Sequence, residues 1–418
     1  MDIEEYLFSL SRFGVKLGLE PTREFASILG NPQDSFKSVH ITGSNGKGST
    51  STFIYRILKN KFRTGLYTSP HLRNFTERII IDDGEIDWGY IRNFINSHDT
   101  RINIRGNDVQ LTFFEYTTCM AFQYFKDNDV EYASVEVGLG GRLDSTNIIT
   151  PELSVITSIS LEHADKLGGN IEDIAKEKAG IIKKGRPVIV GIMPETPKKV
   201  IKKIAESRNS KVYDLENYSI KNVNFTLDGT SYNFKGDKGN YDVKLKSLGK
   251  HQVTNSAMAL LAYENLNVPI TIDEALKSLA EKDIPGRFEI RRRDPLLILD
   301  GAHNSEAMRN LTENIRLYGI KNPLVVLGIL RDKNSYNILQ NLSEITDHVV
   351  VTEPNEKERK KYSEELKNEA SLFFKDITVL SNPEDAVDYA IRSGQSSVIT
   401  GSLYLVGEAE KILDRKLP

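Results

Sequence analysis

The chain reads as an α/β protein. It has a mainly parallel sheet domain of P-loop type carrying a small antiparallel β subdomain, then a C-terminal, Rossmann-like doubly wound domain. Three observations predict this. Apolar runs of strand character alternate with amphipathic stretches of helix length, the pattern of a parallel sheet covered by helices. A glycine-rich turn, I-T-G-S-N-G-K-G-S-T over 41–50, stands between such a run and such a stretch. The alternation breaks at I-P-G-R-F-E over 284–289 and then restarts. With 418 residues the chain exceeds what one core usually serves, so two domains are expected, 1–284 and 288–418.

The first domain opens its strands at 39–42, 65–68 and 78–81, and continues with 132–137, 153–158 and 187–191. Helices are expected over 48–60, 113–126, 171–182 and 196–206. Between 210 and 247 Asn, Gly and Asp punctuate short apolar runs (223–227, 231–234, 241–245), which predicts the antiparallel subdomain. A helix pair follows at 252–265 and 272–282. The second domain alternates strictly, with strands at 296–299, 324–327, 348–352, 377–380 and 397–400. Helices at 305–318, 336–345, 363–373, 385–393 and 405–414 separate and follow them. Its first strand is not followed by G-x-G-x-x-G, which disfavours nicotinamide binding.

The turn at 41–50 is the most informative segment. A strand, a glycine-rich loop and a helix start aim several N–H groups and the positive end of a helix dipole at one point, where a polyphosphate fits. Gly43, Gly46 and Gly48 allow close approach, Lys47 adds a point charge, and Ser49 or Thr50 offers a hydroxyl to Mg²⁺. Gly48 intervenes between the lysine and the hydroxyl residue, so the spacing is not the common Walker one.

Ligands of parallel sheets gather beyond the carboxyl ends of the strands. The first domain places Ser69-Pro70-His71 there, then Glu136 followed by G-L-G-G-R-L-D-S-T-N (138–147), then Ser160, Glu162, His163 and Asp165. The second places Asp300-Gly301-Ala302-His303-Asn304 and Gly328 through Lys333. Glu136 is a carboxylate in a strand that otherwise reads as buried, a costly arrangement unless a metal or cation pairs with it. A salt bridge to Arg142 is its other reading, and Asp144 reads equally as a turn former.

Bulk properties exclude other classes. The 55 basic and 58 acidic residues give a formal net charge of −3, against a nucleic-acid binder. The basic run Arg291 to Arg293 beside Asp294-Pro295 reads as a solvated turn. The single cysteine, Cys119, lies in an apolar stretch and reads as a core residue in a reducing compartment. No signal peptide or membrane span is apparent, so cytoplasmic residence is expected.

Together these segments resemble the folylpolyglutamate synthase/dihydrofolate synthase family of the Mur-ligase superfamily. The resemblance rests on G-S-N-G-K-G-S-T, T-S-P-H-L, F-F-E-Y-T-T, E-V-G-L-G-G-R-L-D-S-T-N, I-A-K-E-K-A-G-I, H-Q-V-T-N-S-A-M-A, P-G-R-F-E, L-D-G-A-H-N and G-S-L-Y-L-V-G-E in that order. It implies ATP-dependent amide ligation of L-glutamate to a folate or dihydropteroate, with two Mg²⁺ ions, by a monomer that binds neither membrane nor nucleic acid. Asn45, Gly46, Lys47, Gly48 and Ser49 would hold the ATP phosphates, with Asn255, Arg287 and Asp300 at adenine, phosphate and ribose. Ser69, Glu136, His163 and a carbamylated Lys178 would ligate Mg²⁺. Asp144 and His303 would stand near the amine and the acyl phosphate, and Thr112, Phe114, Asp144 and Ser145 would line the pterin side. Ser44 stands where the family has Thr, and Glu162 where it has Asp. Two alternatives remain: a ligase of this architecture acting on another acid such as a modified pterin, and a nucleotide-binding protein that catalyses nothing.

Overall fold

The computed structural model describes residues 3–14, 18–161, 167–356 and 359–417. Its strands, in chain order, begin with β1 (Lys37–Thr42), β2 (Thr64–Tyr67), β3 (Ile79–Ile81) and β4 (Gly84–Glu85). A hairpin, β5 (Arg101–Ile104) and β6 (Asn107–Gln110), precedes β7 (Tyr132–Glu136), β8 (Leu153–Ile156), β9 (Val188–Val190) and β10 (Val212–Asp214). These build one sheet in the order β10-β9-β8-β1-β7-β2-β3-β4, apart from the separate hairpin. Pairing is parallel from β10 to β2 and antiparallel at the β3–β4 edge.

Alternation in β1 assigns its two faces. Val39 and Ile41 enter the core shared with helices Lys47–Leu58 and Lys250–Leu266, while His40 and Thr42 face the opposite side. On that side helix Phe113–Asp127 packs Tyr116, Phe122 and Phe125 against Tyr67, Ala133 and Val135. The three strands β11 (Ser219–Thr226), β12 (Gly229–Lys235) and β13 (Asn240–Leu245) form the expected antiparallel sheet. Its inner residues Tyr232, Phe234, Tyr241 and Val243 close the first core from outside.

The remaining strands are β14 (Glu289–Arg293), β15 (Leu296–Leu299), β16 (Leu324–Leu327), β17 (His348–Val351), β18 (Asp376–Val379) and β19 (Ser397–Thr400). They make a second sheet in the order β14-β15-β19-β16-β17-β18, parallel except for β14. The two sheets meet near the loop after β2, where Leu72 packs against the second core and Lys411 Nζ donates to Arg73 O at 2.6 Å. Arg56, buried in the first helix of the site, donates to Lys282 O and Asp283 O at 2.7 and 2.9 Å, tying that helix to the segment joining the sheets.

Several expectations need correction. Arg291 to Arg293 form part of edge strand β14 rather than a solvated turn. The Arg291 head pairs with Glu289 and Asp414. Val212–Asp214, assigned to the antiparallel subdomain, instead pairs with β9 in the main sheet. The helix expected over 171–182 ends at Ala179, where the N–H groups of Gly180, Ile181 and Ile182 turn to carbonyls three residues back and Gly180 packs against Arg142. Helices Ile3–Ser9, Glu20–Ile28 and Trp88–Ser97 and the β5–β6 hairpin were not anticipated. Cys119 is a buried free thiol, as its apolar stretch suggested.

Candidate active site

Helix Lys47–Leu58 starts at Gly46, whose φ of +85° is a left-handed backbone that favours glycine. A Cβ there would also stand 2.5 Å from Asn255 Oδ1, so residue 46 and Asn255 can be neighbours only without one. Strand ends supply the rest of the cradle. Thr157 Oγ1 and Ser158 Oγ both donate to Asn45 O, at 2.6 and 3.1 Å, and Asn45 N–H donates back to Ser158 Oγ at 2.9 Å. Ser44 N–H donates to Ser158 O at 2.9 Å. The loop is therefore held in shape by the end of β8 before any ligand arrives.

Lys47 folds back over this loop, its Nζ donating to Gly43 O at 3.0 Å and Ser44 O at 3.3 Å. Lys178, buried on helix Ile171–Ala179, donates to Gly43 O at 2.8 Å. Ser49 is buried and accepts from Gln252 Nε2 at 3.5 Å, and Gln252 in turn accepts from Asn255 Nδ2 at 3.1 Å.

Register brings Glu136 to the same place. Ile41 pairs with Glu136 across β1 and β7, so the carboxylate lies beside the mouth of the loop. Oε2 accepts Ser69 N–H at 3.2 Å and would stand 3.4 Å from a Cβ on Gly48. Burial pushes this carboxyl upward, opposed by Lys47, the Ser69 N–H, Arg287 and Arg78. Arg142, the other reading of Glu136, pairs instead with Glu177 at 2.7 Å. A buried carboxylate at a strand end next to a serine is an oxygen donor of the kind a divalent cation takes. No cluster of three or more His, Cys, Asp or Glu side chains that could hold a metal occurs among the described residues. His163 lies outside the described residues, as do Glu162 and Asp165.

The second sheet adds its strand ends. Asp300, next after β15, accepts Phe288 N–H and Ala302 N–H at 2.9 Å each. Burial raises its carboxyl to about 6, against the lowering effect of Arg287. Arg287 donates to Gly286 O at 3.3 Å, and His303 Nδ1 lies 2.8 Å from Gly301 O. Asn304 caps helix Ser305–Leu317 and donates to Asn45 Oδ1 at 3.0 Å, while Asn45 Nδ2 donates to Glu306 at 2.8 Å. The glycine-rich loop thus touches the start of the helix that follows β15 directly through Asn45.

On the far side of β7, Thr112 caps helix Phe113–Asp127 in a reciprocal pair with Glu115. Phe114 stacks on Tyr67 with centroids 6.1 Å apart, and its ring tip lies 2.5 Å from where a Gly138 Cβ would stand. Ser145 is buried in the short turn Ser145–Ile148 that Asp144 caps. Both Asp144 oxygens are engaged inside their own segment. Oδ2 accepts Leu139 N–H at 2.8 Å; Oδ1 accepts Thr146 N–H at 3.0 Å.

Asn45, Lys47, Gly48, Ser49, Ser69, Glu136, Lys178 and Asn255 thus gather at one loop, and Arg287, with Asp300 beside it, is near enough to act electrostatically on Glu136. Thr112, Phe114, Asp144 and Ser145 lie on the opposite side of the strand carrying Glu136. Sequence reasoning missed Thr157, Ser158 and Glu306. Thr157 and Ser158 were absorbed into a strand that ends at Ile156, and Glu306 carries no signal of its own on an amphipathic helix.

Two family models match the chain: the Mur ligase middle domain over residues 41–263 and the Mur ligase glutamate ligase domain over 286–403. The dihydrofolate synthase/folylpolyglutamate synthase of Bacillus subtilis is 33% identical over 428 residues, covering 99% of this chain and 98% of that protein. The Escherichia coli protein of the same description is 30% identical, covering 98% of this chain and 94% of its own. A folylpolyglutamate synthase of Mycobacterium tuberculosis, solved with ADP and AMPPCP, superposes with a TM-score of 0.89 at 29% identity, covering 98% of this chain and 99% of that one. E. coli FolC in complex with DHPP and ADP superposes with a TM-score of 0.87 at 27% identity, covering 100% and 99%.

Proposed function

The chain belongs to the folylpolyglutamate synthase/dihydrofolate synthase family of Mur ligases, and from that premise we propose how its residues carry out ATP-dependent addition of L-glutamate to a folate or pteroate carboxylate. The observation that carries the proposal is Asn45. It belongs to the glycine-rich loop yet hydrogen-bonds to Asn304 and Glu306 at the start of the helix that follows β15, which supports a phosphate site shaped by both halves of the chain.

In the proposed reaction the substrate carboxylate attacks the γ-phosphorus of ATP and ADP leaves. The amine of L-glutamate then attacks the resulting acyl phosphate, and phosphate departs from the tetrahedral adduct. The loop N–H groups of Asn45, Gly46, Gly48 and Ser49 and the Lys47 ammonium hold the phosphates and balance their charge as it shifts. Asn255, Arg287 and Asp300 hold the adenine, phosphate and ribose. Ser69, Glu136, His163 and Lys178 as its carbamate would bind two Mg²⁺ ions, which supply neutralisation of the transferring phosphoryl group. His303 orients the incoming amine; Asp144, read from the sequence as its partner there, has both oxygens engaged by its own segment and instead forms the pterin-side wall with Thr112, Phe114 and Ser145.

An acyl phosphate hydrolyses readily, so water must be kept out. Residues 1–284 and 288–418 are proposed as the units that close over it, about the Pro285 to Arg287 segment. No helix among the described residues is long and apolar enough to cross a membrane. A monomer working in the cytoplasm completes the proposal.

ADP release with dihydropteroate and with tetrahydrofolate, each with and without L-glutamate, tests it. Release that requires both an acid of this class and glutamate supports the assignment. Release that ignores both acids, or no release with any, removes it. The ratio of the two rates assigns the chain to dihydrofolate synthesis, tail extension or both.

A further inference from the structure

Two buried side chains that the proposed reaction does not use, His40 and Thr146, form a directional hydrogen-bond chain that ends on Asp144 of the pterin-side wall. His40, in β1, is fully buried, and its Nε2 lies 2.8 Å from Thr146 Oγ1. Thr146 Oγ1 lies 2.5 Å from Asp144 Oδ1. That oxygen also accepts Thr146 N–H, and Asp144 Oδ2 accepts Leu139 N–H.

Donor counting fixes the direction. Burial pushes the Asp144 carboxyl upward, but the Thr146 hydroxyl and the N–H groups of Leu139 and Thr146 all stabilise its charged form, so the carboxylate accepts and the Thr146 hydroxyl donates. A hydroxyl has one proton. The contact with His40 then requires the ring to donate from Nε2, which makes His40 the neutral Nε2–H tautomer. Its Nδ1 has no partner among the described residues. Burial and the nearby Lys183 ammonium disfavour a second proton on the ring.

The chain leads toward a surface that matters. Asp144 anchors the backbone at Leu139, next to Gly138, and Gly138 is where the Phe114 ring lies against the main chain. Thr42, two residues after His40 on the same face of β1, donates to Gly140 O at 2.7 Å. The strand that ends in the phosphate loop therefore grips the 138–146 segment twice. A buried polar network of this kind fixes a backbone path more sharply than apolar packing does.

We infer that His40 and Thr146 are positioning residues for the pteroyl acid. By holding Asp144 they set the path of Gly138–Leu139 and so the seat of Phe114. The inference rests on the ligase reading above.

Steady-state kinetics with the acid and ATP varied separately test it. Thr146→Val and His40→Leu should raise KM for the pteroyl acid about tenfold or more while KM for ATP stays within twofold. Thr146→Ser and His40→Gln, which retain a donor, should recover most of the loss. An unchanged acid KM, or equal rises in both KM values, overturns the inference. Should the apolar variants fail to fold, ring ¹⁵N shifts of the native protein decide it. Nε2-protonated His40 from pH 6 to 8 is expected, and an Nδ1-protonated ring overturns it. A native protein that makes no ADP with any pteroyl acid removes the ligase reading and this inference together. An active native protein with an insensitive Thr146→Val removes only the inference.

Discussion

Lys47 and Lys178 donate to one acceptor, the carbonyl oxygen of Gly43, at 3.0 and 2.8 Å. Two ammonium groups converging on one oxygen repel each other, and burial of Lys178 strengthens that repulsion. The proposed carbamylation of Lys178 would reverse its charge, turn a like pair into an opposite one, and supply an oxygen donor beside the glycine-rich loop.

Activity should therefore depend on dissolved carbon dioxide. Enzyme handled in CO₂-free buffer is expected to lose ADP release and regain it on adding bicarbonate. Lys178→Ala should lower kcat by about 10² or more, a scale usual for removing a charge that stabilises the transition state, with partial rescue by short carboxylic acids. Bicarbonate-independent activity at full level would remove the carbamate.

Asn304 has two separable tasks: it caps helix Ser305–Leu317 and it donates to Asn45. Asn304→Asp keeps a capping oxygen but presents an acceptor to Asn45 Oδ1, so thermal stability should hold while KM for ATP rises. Asn304→Ala loses both and should cost about 1 kcal/mol of stability as well. Thermal melts and ATP titrations of the two variants, read together, distinguish the tasks.

If Asp300 holds the ribose as proposed, ATP binding should show an acid limb. Its carboxyl is raised to about 6 by burial and is charged above that value. As pH falls through 6 the carboxylate is protonated and its acceptance of the Phe288 and Ala302 N–H groups weakens. KM for ATP is expected to climb below pH 6 in the native enzyme. Asp300→Asn should show a high KM at every pH with no such limb.

The meeting of the two sheets carries a second pH signature. Glu410 is buried beside Glu289, and burial followed by the shared proton with Glu289 raises its carboxyl to about 8, while Arg73 and Arg291 oppose the rise. A folded pKa above the unfolded value, about 4.3 for a glutamate, means the folded state holds a proton the unfolded chain has released. The stabilisation is complete below pH of about 4.3, declines as pH rises, and is gone once pH passes 8. Melting temperature should fall across that window, and Glu410→Gln should flatten the slope. An unchanged slope in the variant would locate the titration elsewhere.

Much of this was readable in the chain. The glycine-rich turn and the strand-end polar residues are local signals, and the parallel register of β1 with β7 brings Glu136 to the loop, as the buried carboxylate implied. Less legible was anything decided by tertiary pairing. Arginines in β14 masked a strand whose only apolar cue is Ile290, and Val212–Asp214 carries nothing to distinguish the main sheet from the neighbouring hairpins. The N-terminal helices owe their place to packing against helix Phe113–Asp127, through residues such as Leu7 and Phe25, which no local pattern announces. Asp144 illustrates the limit for chemistry: the motif drew attention to the residue, but only the fold revealed that both its oxygens face inward.

The most direct test of the shared site is a crystal structure with a non-hydrolysable ATP analogue and Mg²⁺. A triphosphate seated on the N–H groups of residues 45–49, with metal density at Glu136 and the ribose at Asp300, is the expected result. Nucleotide bound away from that loop, or metal that bypasses Glu136, would contradict it.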